Sequence, residues 1–494
     1  MKEYFTAKKT LPILAGLAAG LYPVLFYYSR NFERAKSWDH VFHFVLFYII
    51  FSVIAFTIVY RIFKIKSLVR YSKFALPFLN ITVFLYFLKT FTFVHPERKI
   101  MVGILVVAVL FSYFLNKHFK KLLAFQFILA AIGLFNVLQL IYEKITYDDS
   151  WLEQPDAIEE VVFKKKPNVY FIEPDGYVSF SELKSDFYNV ENSEFEGFLK
   201  QNNFKTYPDF RTNYKSTLAS NSAAFSMKHH YHNFDADFEE VENARQIIIS
   251  DNPVLNAFKN NGYETYFLSE KKYLLLNRPE LGYHHSNIDY DDIQYLHNDM
   301  GPDELIVEPF SDYLNDGIDK PKFFFVEILK PWHIRTGKGN ESGPEVVASE
   351  RQKYIDRLRE SNAMMTEMIQ NILKKDPGAL IMIMADHGGF VGLEYTRQAN
   401  IKTQDPQIIN SVFSAILTIH WPNNEIPSYD TELQSPVNVF RILLSYLSEN
   451  ETYLEHLQPD ESFVAIQEGA PKGIYKYIND AREIVFEKQE PKNK

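Results

Sequence analysis

The chain has 494 residues, enough for two or three domains, and its formal net charge of −10 is unevenly spread. Residues 1–150 carry 18 Lys+Arg against 7 Asp+Glu, whereas residues 151–494 carry 34 against 55. So acidic a longer part repels a phosphate backbone and argues against nucleic acid as a partner, and the absence of cysteine excludes disulfides, thiolate metal sites and Cys nucleophiles.

Five apolar runs of membrane length come first, near residues 10–29, 41–60, 74–94, 100–116 and 122–142. The first has too many followers, and too little of a cleavage-like context, to be a removable signal peptide. Basic residues orient the bundle. Lys2, Lys8 and Lys9 precede the first run, Arg61, Lys64, Lys66, Arg70 and Lys73 separate the second from the third, and Lys117, Lys120 and Lys121 separate the fourth from the fifth, 11 in all. The opposite side has 6: Arg30, Arg34, Lys36, Arg98, Lys99 and Lys144. The richer side is expected to be cytoplasmic, which places everything after about residue 145 outside. Lys89, the charge inside a run, lies near its outer end, where a lysine snorkels to the interface. The expected organisation is a membrane domain over 1–145 with a cytoplasmic N-terminus and a linker over 146–165, with Trp151 at headgroup level. An extracytoplasmic domain over 166–480 and a disordered tail over 481–494 complete it.

From "PNVYFIEPDGY" onward, short β runs alternate with helical segments. Strands are expected at "NVYFI" (168–172), "ETYFL" (264–268), "KFFFVEIL" (322–329), "ALIMIMA" (379–385) and "FSAILTI" (413–419), with a long helix over 349–375. Near-continuous apolar strands between helices predict an α/β domain with a largely parallel, doubly covered sheet. In such folds the site lies beyond the carboxyl ends of the strands.

Polar groups fall where those strands end: Asp175 after "NVYFIEP", His333 after "FFFVEILKPW", and Asp386 with His387 after "ALIMIMA". Carboxylates and imidazole at one sheet edge suit a divalent metal such as zinc or manganese. A lone Asp after a strand also serves as a turn or cap residue. Between the first and last strands, "NYKSTLAS" places Thr217 at the start of a helix-compatible segment, where backbone N–H groups favour an anion. A metal-bound hydroxyl there is a nucleophile; alternatively Ser216 or Thr217 only caps the helix. His229, His230 and His232 in "MKHHYHN" read as a solvated or substrate-contacting loop, as do His284 and His285; His420 is expected to pack beside Trp421.

The order strand–Asp, "NYKST", strand–Asp-His-Gly resembles the alkaline phosphatase superfamily. It is most similar to its sulfatase-like membrane transferases: lipoteichoic acid synthases and the phosphoethanolamine and phosphoglycerol transferases. The resemblance covers about residues 165–465 and rests on "PNVYFIEPDGY", "NYKSTLAS", "FFFVEILKP", "YIDRLRESN", "IMIMADHGG" and "SPVNVFRILL". It implies five membrane spans followed by an alkaline-phosphatase-like domain in the cytoplasmic (inner) membrane of a bacterium, with the catalytic domain outside. It implies Asp175, Thr217, Asp386 and His387 as ligands of one divalent ion, zinc or manganese. Thr217 is then the nucleophile, taking a phospho-head group from a membrane phospholipid and passing it to a lipid or glycan acceptor. The same site with water as acceptor makes a phosphodiesterase or phosphatase, and the fold without turnover makes a membrane scaffold.

Three departures qualify the resemblance. No C/S-x-P-x-R motif surrounds Thr217, which disfavours sulfate-ester hydrolysis. No Asp-x-x-x-His piece follows "FFFVEIL", which favours one metal over two. Relatives commonly carry histidines where this chain has Glu327 and Trp332, and His333 comes one residue late, where it either binds phosphate or protonates a leaving alkoxide, or faces away from the site. Head-group selectivity is expected from the insert 270–320, whose acidic residues suit a cationic group such as ethanolamine.

Overall fold

The computed structural model describes residues 11–92, 97–234, 241–296 and 303–490. Lys2, Lys8 and Lys9, the edges of the first and third apolar runs, and part of the insert lie outside the described residues. The chain forms two compact units: Met1–Asp148 with Leu276–Arg278 and Ile293–Met300, and Asp149–Leu275 with Pro279–Asp292 and Gly301–Lys494.

Among the described residues of the first unit, four helices are long and apolar enough to cross a membrane: Leu11–Ala35, Trp38–Ile62, Val69–Thr92 and Asn116–Leu152. The remaining apolar helix, Arg98–Phe114, has 17 residues. At 1.5 Å per residue it is about 25 Å long, short of a hydrocarbon core of about 30 Å. The first helix packs through small residues. A Cβ on Gly16 would meet Val53 Cα at 2.8 Å, and one on Gly20 would meet the Tyr48 carbonyl oxygen at 2.3 Å. Such close approach is how helices associate when lipid is as apolar as their own side chains. Lys89 sits in the last turn of its helix.

A polar pair is buried among these helices. Asn80 donates to the Ala15 carbonyl at 2.9 Å and to Gln126 Oε1 at 3.0 Å, and Gln126 donates back to Asn80 Oδ1 at 2.9 Å.

The second unit is built on a seven-stranded sheet in the order β2-β7-β6-β1-β5-β3-β4. The strands are β1 (Val169–Pro174), β2 (Phe204–Thr206), β3 (Glu264–Ser269), β4 (His285–Ser286), β5 (Lys322–Ile328), β6 (Leu380–Met384) and β7 (Leu417–His420). Central β1 runs parallel to both β5 and β6, and β3 runs parallel to β5. Every residue of β1, β5 and β6 is buried, which is why the sequence there is an unbroken apolar run rather than an alternating one. β7 pairs antiparallel with β6, and the edge strand β2 antiparallel with β7, so the sheet is parallel in its centre and mixed at one side. The long helix extends over Pro344–Lys375.

A separate three-stranded antiparallel sheet joins β8 (Ser462–Ile466), β9 (Gly473–Ile478) and β10 (Ile484–Lys488). It corrects the expectation of disorder from residue 481. "EIVFEK" pairs with "GIYKYI", and Phe486 stacks on Tyr475 at 4.2 Å between ring centroids. The charges that follow β10 hid a short strand whose aromatic partner lies on the neighbouring one.

Replacing Asn80 by Leu is expected to cost about 1 kcal/mol of stability in detergent, because Gln126 loses its partner in an apolar setting. Adding Gln126→Leu to that variant is expected to recover most of the loss. A thermal double-mutant cycle checks this; additive losses would show that the pair is not coupled.

Candidate metal centre and active site

Parallel strands end together, so β1, β5 and β6 deliver their following residues to one edge. Asp175 comes directly after β1, and its N–H donates to the Ile328 carbonyl of β5 at 2.9 Å. Asp386 and His387 follow β6, and all three side chains are at most 3 % exposed. His387 Nε2 lies 3.4 Å from Asp175 Oδ1 and 3.4 Å from Asp386 Oδ2.

His387 Nδ1 lies 2.9 Å from the Gly388 carbonyl oxygen, which can only accept, so Nδ1 carries a proton and Nε2 is the nitrogen turned toward the two carboxylates. Neither Asp175 Oδ1 nor Asp386 Oδ2 has a hydrogen-bond partner. Two carboxylate oxygens and an imidazole nitrogen within 4.8 Å of one another in a buried place need a cation or a proton between them. The residues present therefore fit a divalent metal held by two carboxylates and one imidazole.

Two glycines make this approach possible. Gly176, at φ +71, donates its N–H to Asp386 Oδ1 at 3.2 Å, and a Cβ there would lie 2.6 Å from the Trp332 carbonyl oxygen. A Cβ on Gly388 would lie 2.2 Å from the Ser411 carbonyl oxygen. The loop after β5 closes over the same point, with Trp332 N–H donating to the Asp175 carbonyl at 2.8 Å.

Thr217 opens the helix Thr217–Ser226 and is 8 % exposed. Ser216 takes the N-cap backbone conformation but makes no side-chain cap bond, so the first-turn N–H groups keep their capacity for an anion. Asn221, one turn on and on the same face, donates Nδ2 to Glu173 Oε1 at 2.7 Å. That bond anchors this helix face to β1, with Thr217 one turn nearer the helix start. The Asp-Asp-His group is thus assembled from three of the expected ligands, and Thr217 stands on a helix face tied to the same strand.

His333 is half-buried, its ring 5.8 Å from that of His387 between centroids. Burial, and then His387, push it down to about 3, so it is neutral at neutral pH. Its Nδ1–H is given to the Ile334 carbonyl. His333 therefore offers Nε2 as an acceptor, a state that does not by itself suit it to protonate an alkoxide.

Lys215 and Arg357 at the site were not singled out from the sequence, whereas Glu327 was, as the residue that stands where relatives carry a histidine. Lys215, in "NYKST", is half-buried; burial, and then Arg397, lower it to about 8, and it acts electrostatically on His333. Arg357 donates to the His333 carbonyl at 3.0 Å. Glu327 is buried and lies 2.5 Å from Ser269 Oγ. Burial pushes Glu327 up to about 8, with Asp386 and Glu270 adding to it. Burial also raises Asp175, with Asp386 and Glu327 as the next causes, and raises Glu173 for the same reasons. The position of Lys215 two residues before Thr217 was a readable signal; Glu327 was marked in the sequence, but its place beside Asp175 was not, because it is distant along the chain.

The other histidines singled out from the sequence have structural partners. His230 is fully buried, with Nε2 at 2.8 Å from the Ala219 carbonyl and 2.9 Å from Ser222 Oγ, which corrects the reading of a solvated loop. His229 Nε2 meets the Pro459 carbonyl at 2.7 Å. Trp151 packs on the rings of His230 and His232 at 5.5 and 5.8 Å. His284 bonds Thr265 and His285 bonds Glu264. His420 Nδ1 lies 3.0 Å from the Ala379 carbonyl.

A family model described as Sulfatase matches residues 185–447, a span that contains Thr217, His333, Asp386 and His387. No curated protein matches the chain. Among solved structures it is similar to the C-terminal periplasmic domain of EptC from Escherichia coli, at 11% identity and a TM-score of 0.41, over 64% of this chain and 96% of that one. It is also similar to the C-terminal periplasmic domain of the phosphoethanolamine transferase EptC from Campylobacter jejuni, at 14% identity and a TM-score of 0.38, over 57% of this chain and 90% of that one. A third is the lipoteichoic acid synthase LtaP from Listeria monocytogenes, at 14% identity and a TM-score of 0.40, over 67% of this chain and 91% of that one.

The raised carboxyl groups set a pH dependence. Glu327 at about 8, against an ordinary 4.5, holds its proton more tightly folded than unfolded. Its contribution is complete below about 4.5 and lost as pH rises toward about 8. The melting temperature of metal-free protein is expected to fall across that window, and a saturating divalent cation is expected to remove the fall. A flat profile without metal would contradict this.

Proposed function

The chain belongs to the sulfatase family, and from that premise we propose that this enzyme is a membrane-bound, metal-dependent phospho-group transferase. In this reading it moves a head group of the phosphoethanolamine or phosphoglycerol type from a membrane phospholipid to a lipid or surface-glycan acceptor. The observation that carries the reading is the pairing of the Asp175–Asp386–His387 group with a threonine at an uncapped helix start, Thr217, whose helix is tied to β1 through Asn221. A hydroxyl nucleophile beside an anion-receptive helix start suits a phosphoryl group.

Thr217 Oγ attacks phosphorus, the bond from phosphorus to the diacylglycerol oxygen breaks, and the proton lost by Thr217 returns to that departing oxygen. An acceptor hydroxyl then attacks the phospho-threonine, and Thr217 leaves with a proton restored. Asp175, Asp386, His387 and Thr217 would hold a zinc or manganese ion, which would supply charge neutralisation on the phosphoryl oxygens and a more acidic threonine hydroxyl. Lys215, cationic at neutral pH with its value near 8, adds a positive group for the same oxygens. His333 accepts rather than donates, which suits it to orient an acceptor hydroxyl.

The apolar helices of the first unit support a membrane-resident donor. We place the protein in the bacterial cytoplasmic membrane with five spans, counting Arg98–Phe114, and the N-terminus inside. The bias of basic residues then puts the catalytic unit outside. The acidic insert 270–320 favours a cationic head group such as ethanolamine over an anionic one.

Intact-protein mass spectrometry after incubation with divalent metal and native membrane lipids tests the reading. An added mass on Thr217 is expected, its size identifying the transferred group, together with its absence in Thr217→Ala. Lipid turnover in that variant is expected to drop by about a thousandfold or more while the protein stays folded. Turnover that survives in Thr217→Ala would mean another nucleophile or direct hydrolysis.

A further inference from the structure

The three connections that carry the metal group continue past it into an open groove of about 650 Å³. Asp175 follows β1, and the same connection reaches Asp186, Phe187 and Asn189 on the groove. His333 follows β5, and its connection ends at Gly343, where the long helix carrying Arg351 begins. Asp386 and His387 follow β6, and the chain runs on to Gly392, Glu394 and Gln398. Gly392 comes five residues after His387, so their Cα atoms are at most about 18 Å apart. The groove thus opens at the carboxyl edge of the sheet, where ligands of such folds bind. None of its residues takes part in the proposed chemistry at Thr217.

The walls are held in place by the protein's own bonds. A Cβ on Gly392, which has φ +106, would lie 2.4 Å from the Phe187 ring, so the ring rests directly on that backbone. Gly343 N–H donates to Glu394 Oε1 at 2.8 Å, and Glu394 N–H donates to Gln398 Oε1 at 2.7 Å. Arg335 Nε holds the Glu394 carbonyl at 2.9 Å. Arg351 is anchored to the Tyr188 carbonyl by Nε at 2.8 Å and by Nη2 to the same oxygen. These bonds leave polar capacity on the groove. Among the described residues, the Asp186 carboxylate and the Asn189 side-chain amide make no hydrogen bond or ion pair, and Arg351 Nη1 and Gln398 Nε2 have no acceptor. Walls fixed in this way cost a ligand little ordering when it binds.

We propose that this groove seats one sugar of the acceptor, an oligosaccharide of neutral or amino sugars whose hydroxyl attacks the phospho-threonine; the proposal rests on the transferase reading. The chemistry of the walls sets the class. A pyranose ring has apolar C–H faces and a rim of hydroxyls that both donate and accept. Phe187, Pro344 and Leu393 supply apolar surface for the faces, and Asp186, Asn189, Arg351 and Gln398 supply acceptors and donors for the rim. An acyl chain laid here would take water from those four polar groups and give nothing back. An anionic glycan is disfavoured, because Asp186 and Glu394 outnumber Arg351. A seat apart from the metal group requires more than one sugar, one held in the groove and another presenting its hydroxyl at Thr217.

The test uses full-length protein in detergent, with maltotriose as the neutral probe and a glucosamine trisaccharide as the amino-sugar probe. Binding is read from saturation transfer to the saccharide NMR signals and titrated for its constant. At least one probe is expected to bind wild type with a millimolar constant. Ala348→Trp, which fills the groove from an exposed helix position, is expected to weaken that binding by about tenfold or more. Asp186→Ala combined with Asn189→Gly, where glycine suits the φ of +46, is expected to do the same while melting as wild type does. Thr217→Ala is expected to bind saccharide like wild type. Failure of both trisaccharides to bind wild type overturns the proposal, and so does binding unchanged in both groove variants. Either result beside a mass adduct on Thr217 removes the groove and leaves the transferase reading standing. Binding lost in the groove variants, with no Thr217 adduct in wild type, keeps the groove as a glycan site and sinks the transferase reading.

Discussion

Uncompensated negative charge at the ends of parallel strands is the constraint around which the second unit is arranged. Parallel pairing forces β1, β5 and β6 to finish at one edge, and this sequence finishes them with Asp175, Glu327 and Asp386. Each carboxylate is out of water, and His387 turns Nε2 toward two of them. In the folded chain alone these groups repel, which is why burial and mutual charge raise Asp175, Glu173 and Glu327 together. A sheet edge built this way is stable only with cations or protons supplied to it.

Much of the local backbone serves that arrangement. Gly176 turns the chain with a positive φ under the Trp332 carbonyl, and Gly388 passes against the Ser411 carbonyl where no side chain fits. The Trp332 N–H closes the loop after β5 onto Asp175, and Asn221 fixes the helix that begins with Thr217. The nucleophile candidate is thus positioned by a hydrogen bond one turn away rather than by its own contacts. Such support from neighbouring residues is what holds a reactive group to the tolerance that phosphoryl chemistry needs.

The first unit obeys a different rule. Apolar burial supplies no drive between helices in lipid, so the contacts are made by backbone approach at Gly16 and Gly20 and by the Asn80–Gln126 pair. Its helices were legible because uncharged apolar runs of that length match the thickness of a bilayer and exceed what a buried core helix needs. Arg98–Phe114 is the exception in kind: its composition is apolar but its 17 residues are short for a crossing.

By itself the sequence determined the apolar helices, the central strands and the residues that end them. Unbroken runs such as "LIMIM" can only be buried, and Asp386-His387-Gly388 after such a run needs a partner that local structure does not provide. It also marked Thr217, because small residues after "NYKS" favour a helix start. What only the tertiary structure decided were the relations between distant residues. Register set Glu327 beside Glu173, burial made His333 neutral and His230 structural, and a pairing with Tyr475 turned the expected loose tail into β10. The physical reason is common to all of them: charge state and pairing depend on what lies within a few ångströms. For these residues the neighbours are supplied by segments far along the chain.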